Sequence, residues 1–410
     1  MVIDTAVSHG DWFNAWGSYG RPSVHRILGE CAAAGIRKVH WRTFHGARAN
    51  YHSQLEPVAY GAEDIERPGF EAGPRQAYDL RDWDPLRDGV DIAHALGLMI
   101  SAWYTVYEET HVQRVTTTFA ETHPEYWWTA RSGKRRSSKL SFAYPEVRDY
   151  KLRLIREQVA YGVDDICLDF FRENQLFAAR HEQMTPKQEV DEDGVCIYGY
   201  EPAIVRAYRE RYGDSPAELR NSDENWVRFR AGFLTSFMRD VRKELDRSGT
   251  RLSAKVRSMN LLQAPFPYWE PEAAPTNSLR GSFVDWPTWI QEGLLDEVIV
   301  VHENFELCKL NPMSLFHETR AAKAVVGRSA KLLMGIWCYN LSDAPVSEGK
   351  KFLDLAVNAA TQAGADGVVL YESTPLHGWG SCIGGGGGVD IGLWSKVKEL
   401  AQQPLPLILT

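Results

Sequence analysis

No run in this 410-residue chain is apolar for long enough to cross a bilayer, and its first residues, MVIDTAVSHGDWF, have neither the basic flank nor the apolar stretch of a secretion signal. The expectation is a cytoplasmic protein with no membrane partner. The six cysteines (31, 167, 196, 308, 338 and 382) include no C-x-x-C pair, and most fall in predicted helices or strands. Buried reduced thiols are expected there rather than disulfides or a zinc site. Positive charge is not in surplus either: 46 Lys plus Arg stand against 54 Asp plus Glu, which argues against nucleic acid as a partner. His9, His40, His45, His302 and His377 are available, but no H-x-H lies on the first strand and no H-E-x-x-H occurs anywhere. Nothing in the sequence therefore asks for a metal or another cofactor. The first strand is not followed by a Gly-rich dinucleotide turn, which counts against a doubly wound sheet. No internal repeat is present beyond an alternation of strands and helices.

That alternation is the main positive signal. Strands are predicted over 2–7, 36–44, 98–106, 165–171, 251–257, 297–303, 331–339 and 366–373. Between them, helices are predicted over 22–34, 85–96, 145–161 and 201–213, in a long stripe from about 223, from Asn311 and Pro312 onward, over 348–363 and over 391–402. Ser222 and Gly249 are the expected caps of the long helix. Eight strands with intervening helices give a single-domain (β/α)8 TIM barrel over 1–410. The usual size of about 250 residues is stretched by insertions at about 45–76, 108–144 and 174–199, after strands 2, 3 and 4.

The stretch GVDDICLDFFRE at 162–173 is the most informative. A buried strand there carries Asp169 at its carboxyl end, and in a barrel those ends form the mouth where chemistry is done. The plain alternative is an Asp that caps the next helix. Strand ends would also bring to the mouth Asp4, Trp41 with Arg42, Glu108 with Glu109, Arg172 with Glu173, Lys255 with Arg257, Glu303, Trp337 with Tyr339, and Glu372. Trp103 lies inside strand three. Carboxyl groups among flat aromatic faces are what glycoside hydrolysis requires.

Asp169, Glu303 and Glu372 each close an apolar strand, where an unpaired charge is costly, so they are the catalytic candidates. Trp41, Arg42, Trp103, Glu108, Arg172, Arg257, Trp337 and Tyr339 are the substrate-binding candidates. Asp4 fits better as a bracket between strand ends, and Glu108, Glu109 and Glu173 also read as solvated charges or partners of Arg172. Trp226 belongs to a helical stripe and reads as core. Trp103 and Trp337 also suit barrel filling, whereas Trp127, Trp128, Trp269 and Trp379 fall in loops and suit sugar subsites.

The stretches GIRKVHWRTFHG, GLMISAWYTVYEETH, HPEYWW, SFAYPEVRDYKLRLIREQVAYGVDDICLDFFR, WVRFR and DWPTWIQEGLLDEVIV resemble the glycosyl hydrolase-like barrel proteins grouped with family 10-like glycosidases. The shared signature G-V-D-x-I-x-L-D-F-x-R marks Asp169 and Arg172. Xylanases of family 10 proper carry Asn-Glu on strand four and a Glu on strand seven. Here those positions hold Asp169 and Trp337 with Cys338, so that pair does not transfer. By analogy with α-galactosidase-type barrels, the resemblance implies Asp169 as nucleophile or base and Glu303 as general acid, acting on a small oligosaccharide or glycoside.

Arg42, Arg172, Lys255 and Arg257 either meet an anionic sugar substituent or neutralise the carboxylates, and the second fits better. Two other functions compete. The GGGGG run at 384–388 and Lys255 inside strand five suggest a phosphate-binding isomerase or a Schiff-base aldolase. A carbohydrate-binding barrel without turnover is the other. The number of associated chains is open, and a homo-oligomer is compatible with the sequence.

Overall fold

A computed structural model of the chain describes residues 1–7, 20–45, 47–58, 80, 82–110, 116–171, 190–260, 276–302, 311–338, 341, 345–371, 373–376 and 392–402. Eight strands form its centre: β1 (Val2–Val7), β2 (Lys38–His45), β3 (Met99–Thr105), β4 (Asp165–Asp169), β5 (Arg251–Val256), β6 (Glu297–His302), β7 (Lys331–Trp337) and β8 (Gly367–Tyr371). Each is parallel to the next, and β8 pairs with β1, so the sheet closes on itself. The principal helices are α1 (Arg21–Ala34), α2 (Pro85–Ala95), α3 (Pro145–Val159), α4 (Pro202–Tyr212), α5 (Glu224–Ser248), α6 (Pro312–Val326), α7 (Val346–Gln362) and α8 (Leu393–Gln402). The chain is thus a (β/α)8 barrel.

Helix boundaries follow local chemistry. Asn311 accepts from the amides of Met313 and Ser314 at 3.1 and 3.2 Å, with Pro312 in the first turn. Gly249 ends α5 with φ 71°, a left-handed conformation open to Gly. The start of α5 differs from expectation by one residue. Asp223, not Ser222, is the cap, its carboxylate accepting from the Trp226 amide at 2.9 Å. Strand β4 is also shorter than expected and ends at Asp169, because the Asp169 carboxylate accepts from the Phe171 amide at 2.9 Å and turns the chain out of the sheet.

The register fixes which side chains enter the barrel. Pairings Asp165↔Arg251, Cys167↔Ser253 and Asp169↔Lys255 run along β4 and β5, and Ser101↔Asp165 joins β3 to β4. Cys167, Ile299, Leu333 and Val369 form a small apolar cluster separate from the main core, which lies between sheet and helices. A small cavity of ≈10 Å³ lies inside the barrel among residues such as His40, Trp103, Cys167 and Lys255. Size compensates across it: a Cβ on Gly335 would lie 3.0 Å from the Val301 side chain, and this small residue faces the same space as Trp103 and Lys255.

Charges gather at the closed end. Lys38, Asp165 and Glu297 are the first residues of β2, β4 and β6, all buried. Lys38 Nζ lies 2.5 Å from Glu297 and 3.6 Å from Asp165, while Ser101 and Ser253 donate to Asp165 at 2.5 and 2.7 Å. Asp4 belongs here, not at the mouth. Arg37 meets it at 2.6 Å and the Lys38 amide at 3.2 Å, so it brackets strand starts. Burial, opposed by Lys38 and Arg37, pushes the Asp4 carboxyl up to about 6.

The segment after β3 folds on itself, with a short helix (Thr118–Thr122) and an antiparallel hairpin of Trp127–Thr129 with Arg135–Leu140. Trp128 is buried there against Tyr107 and Phe283 and donates to the Leu140 carbonyl at 3.1 Å. Trp127 donates to the Ala120 carbonyl at 2.7 Å. Both tryptophans hold the insertion together instead of forming subsites. Trp269 and Trp379 lie outside the described residues.

Glu201 ties this hairpin to α4 by accepting from the Thr129 amide at 2.7 Å. Burial, only partly offset by that bond, raises its carboxyl to about 7. The folded state therefore binds this proton more tightly than the unfolded chain. The associated stability is complete below the unfolded value of 4.5 and is lost as pH rises through about 7. Urea denaturation is expected to show a fall of roughly 2–3 kcal/mol between pH 5 and pH 8 from this group. Glu201→Gln, which cannot ionise, is expected to flatten that slope.

Candidate active site

At the carboxyl end of β4, the Asp169 side chain is fully buried and held by donors of three kinds. Its Oδ2 accepts from the indole nitrogen of Trp103 on β3 at 2.7 Å and from Lys255 Nζ on β5 at 3.3 Å, and its Oδ1 accepts from the Phe171 amide. Parallel pairing of Asp169 with Lys255 sets the second contact. Aromatic faces enclose the ammonium. Lys255 Nζ lies 3.7 Å from the ring centre of Tyr371, 4.7 Å from that of Trp103 and 5.5 Å from that of Phe171. Tyr371 in turn stacks on Trp337 at 4.8 Å and 21°, and meets Trp103 edge-on at 5.1 Å.

The result is a fixed carboxylate and a paired cation walled by indole and phenol rings. Such a carboxylate suits attack on, or proton removal beside, an electrophilic carbon. Of the rings, Phe171 and Tyr371 are buried beneath the half-buried Trp337, whose indole is the flat apolar face with exposed surface among them. Trp103 is buried against Asp169, Lys255 and Tyr371, and Trp337 covers Tyr371.

Other candidates separate. Arg42 enters the barrel from β2, lies 5.0 Å over the Trp103 ring, and pairs with Glu108 at 3.3 Å; Thr105 donates to the same Glu108 oxygen at 2.6 Å. Arg257 follows β5 and lies 5.7 Å over Phe171. Trp41 is a correction. Alternation along β2 turns it outward, where an added Cβ on Gly89 of α2 would come within 3.3 Å of its indole, so it is part of the helix–sheet core. Glu109 also points away, bonded to Lys151 of α3 and to Thr117. Glu303, Glu372, Arg172, Glu173 and Tyr339, with the Gly run at 384–388, lie outside the described residues.

Sequence reading did not single out Tyr371, nor Lys255 as the partner of Asp169. A signal for Lys255 existed: it and Asp169 are both the fifth residues of their predicted strands, so an in-register parallel pair sets them side by side.

Among the described residues, Asp4, His40 and Glu297 have ligand-type atoms within 4.8 Å of one another, all buried. The trio is unsuited to a divalent ion. Arg37 and Lys38 already pair with its carboxylates, so a bound cation would meet their positive charge. The described cysteines 31, 167, 196 and 338 are free and buried; 308 and 382 lie outside the described residues. No described helix is long and apolar enough to cross a membrane.

The sequence profile of the glycosyl hydrolase-like 10 family matches residues 71–354, a span that includes Trp103, Asp169, Lys255 and Trp337. The chain belongs to this family. No curated protein matches it in sequence. Among solved structures, this glycosyl hydrolase-like 10 protein is similar to the glycoside hydrolase domain of PgaB (BpsB) from Bordetella bronchiseptica, with 11% identity, a TM-score of 0.55, and coverage of 92% of this chain and 95% of that one. A noncanonic maltogenic α-amylase, AmyB from Thermotoga neapolitana, gives 12% identity and a TM-score of 0.48, covering 98% of this chain and 75% of that one. At 11% identity the likeness to the Bordetella domain speaks for the barrel fold alone.

Proposed function

We propose that this glycosyl hydrolase-like 10 protein is a glycosidase acting on a small neutral oligosaccharide or glycoside through two carboxyl groups. Asp169 is the nucleophile or base and Glu303, next in sequence after β6, the general acid; Glu372, next after β8, is the rival for that second role. The observation that carries the reading is the setting of Asp169, a carboxylate fixed by Trp103 and Lys255 at the catalytic end of a glycosidase-family barrel, beside the stacked Trp337 and Tyr371. In the retaining version Asp169 attacks the anomeric carbon while the acid protonates the departing oxygen; water activated by the same acid then cleaves the glycosyl ester. In the inverting version Asp169 activates the water directly.

A neutral substrate is favoured because Lys255 is paired with Asp169 and Arg42 with Glu108, which leaves these two cations engaged. Turnover of uronic aryl glycosides in preference to neutral ones would overturn that choice. The aldolase reading is disfavoured for a related reason: Schiff-base chemistry needs a neutral amine, and the adjacent carboxylate stabilises the ammonium of Lys255.

The direct test is release of reducing sugar from a panel of neutral α- and β-linked di- to tetrasaccharides. Turnover of at least one is expected. Measurable affinity with no turnover anywhere would establish a binding barrel instead. Lys255 is a positioning residue, acting through Asp169. In Lys255→Met, kcat is expected to drop about 10²-fold with KM nearly unchanged, because the carboxylate has lost a contact that orients it. A loss of activity that only follows loss of the folded circular-dichroism signal would point to structural damage alone.

A further inference from the structure

The two tryptophans of the motif HPEYWW at 123–128 hold the hairpin. Its other rings have a different setting. His123 and Tyr126 are half-buried and stack at 5.3 Å and 26°, and Phe119 stacks on Tyr126 at 6.0 Å and 18°. Phe119 is held flat from behind by Tyr150 of α3, ring on ring at 4.1 Å and 5°. These rings line an open cleft of ≈410 Å³ together with the first turns of α3. Glu146, Asp149 and Arg153 stand along α3 at i, i+3 and i+7, one face of the helix, and all three are exposed. None of the cleft's lining residues belongs to the inward-facing set of the barrel.

We propose that this cleft is a second saccharide-binding site, on the outer flank of the barrel, for a short neutral saccharide. Ring faces of this kind take the apolar face of a sugar. Carboxylate and guanidinium groups at one edge can bond adjacent hydroxyls two at a time. The volume lies within the range of small-molecule sites. A hydrophobic partner surface is the poorer match, because Glu146, Asp149 and Arg153 stand exposed along the α3 side. A purely anionic ligand would meet two carboxylates on that side against one guanidinium. The site does not depend on the catalytic assignment of Asp169, since binding there needs no turnover.

The test uses the full chain carrying Asp169→Asn, so that no ligand is consumed, titrated calorimetrically with maltotriose, cellotriose, mannotriose and chitotriose. Tyr126→Ala is expected to weaken binding of at least one of these about tenfold or more. Glu146→Gln with Arg153→Gln, a pair of exposed changes that leaves the ring packing intact, is expected to do the same. In the background with Asp169 intact, neither variant is expected to change hydrolysis of a small aryl glycoside. The proposal is overturned if no trisaccharide shows binding that depends on these residues. It is equally overturned if the only effect of Tyr126→Ala is to dissolve a dimer seen by analytical ultracentrifugation, which would make the cleft a contact between copies.

Discussion

Asp169→Asn is expected to reduce glycosidase turnover by about 10³-fold or more while the protein remains folded. The amide keeps the shape of the carboxylate and one oxygen able to accept from the Phe171 amide, so the turn that ends β4 should persist. What is lost is the negative charge. Without it the side chain cannot form a glycosyl ester or remove a proton from water, and Lys255 loses this carboxylate. Circular dichroism should superimpose on that of the parent, with a drop in melting temperature from loss of the buried Asp169–Lys255 ion pair. Saccharide affinity at the mouth should survive, because Trp337 and Tyr371 are untouched. Normal turnover by this variant would remove Asp169 from the mechanism.

The second large effect is on stability and comes from the other end of the barrel. Lys38→Met keeps the length of the side chain but removes the cation between Glu297 and Asp165. Burial alone would pull the Lys38 ammonium down, yet Asp165, Glu297 and Asp4 outweigh it and raise it, so the charged form is the one the fold relies on. Removing one partner of a buried ionic cluster costs about 3–5 kcal/mol, a large fraction of typical domain stability. The loss should shrink at acid pH, where protonation neutralises the stranded carboxylates. Urea denaturation of parent and variant at pH 5 and pH 8 checks both the size and the direction. A change below about 1 kcal/mol at pH 8 would mean that Arg37 and the two serines suffice to hold the cluster.

The barrel was legible because its punctuation is chemical and local. Gly35, Gly249 and the Asn311–Pro312 pair mark helix ends by backbone geometry that needs no tertiary context. The site was legible only in part, and the reason is register. Asp169 announces itself by closing an apolar strand, but its donors come from neighbouring strands, and nothing local to Trp103 or Lys255 names their acceptor. Trp41 shows the converse. In KVHWRTF the polar residues 38, 40 and 42 share one face and Val39 and Trp41 the other, so the outward course of Trp41 was written in the alternation, although its position near a strand end suggested the mouth. Trp127 and Trp128 needed the hairpin pairing, which no helix or strand periodicity announces.

A single crystal structure addresses the proposed chemistry most directly: Asp169→Asn soaked with an oligosaccharide that the parent cleaves. The expected density places the scissile glycosidic bond beside Trp337 and Tyr371, with the anomeric carbon about 3–3.5 Å from the residue 169 side chain, or one water away from it. A productive saccharide whose scissile bond lies away from residue 169 would contradict the assignment.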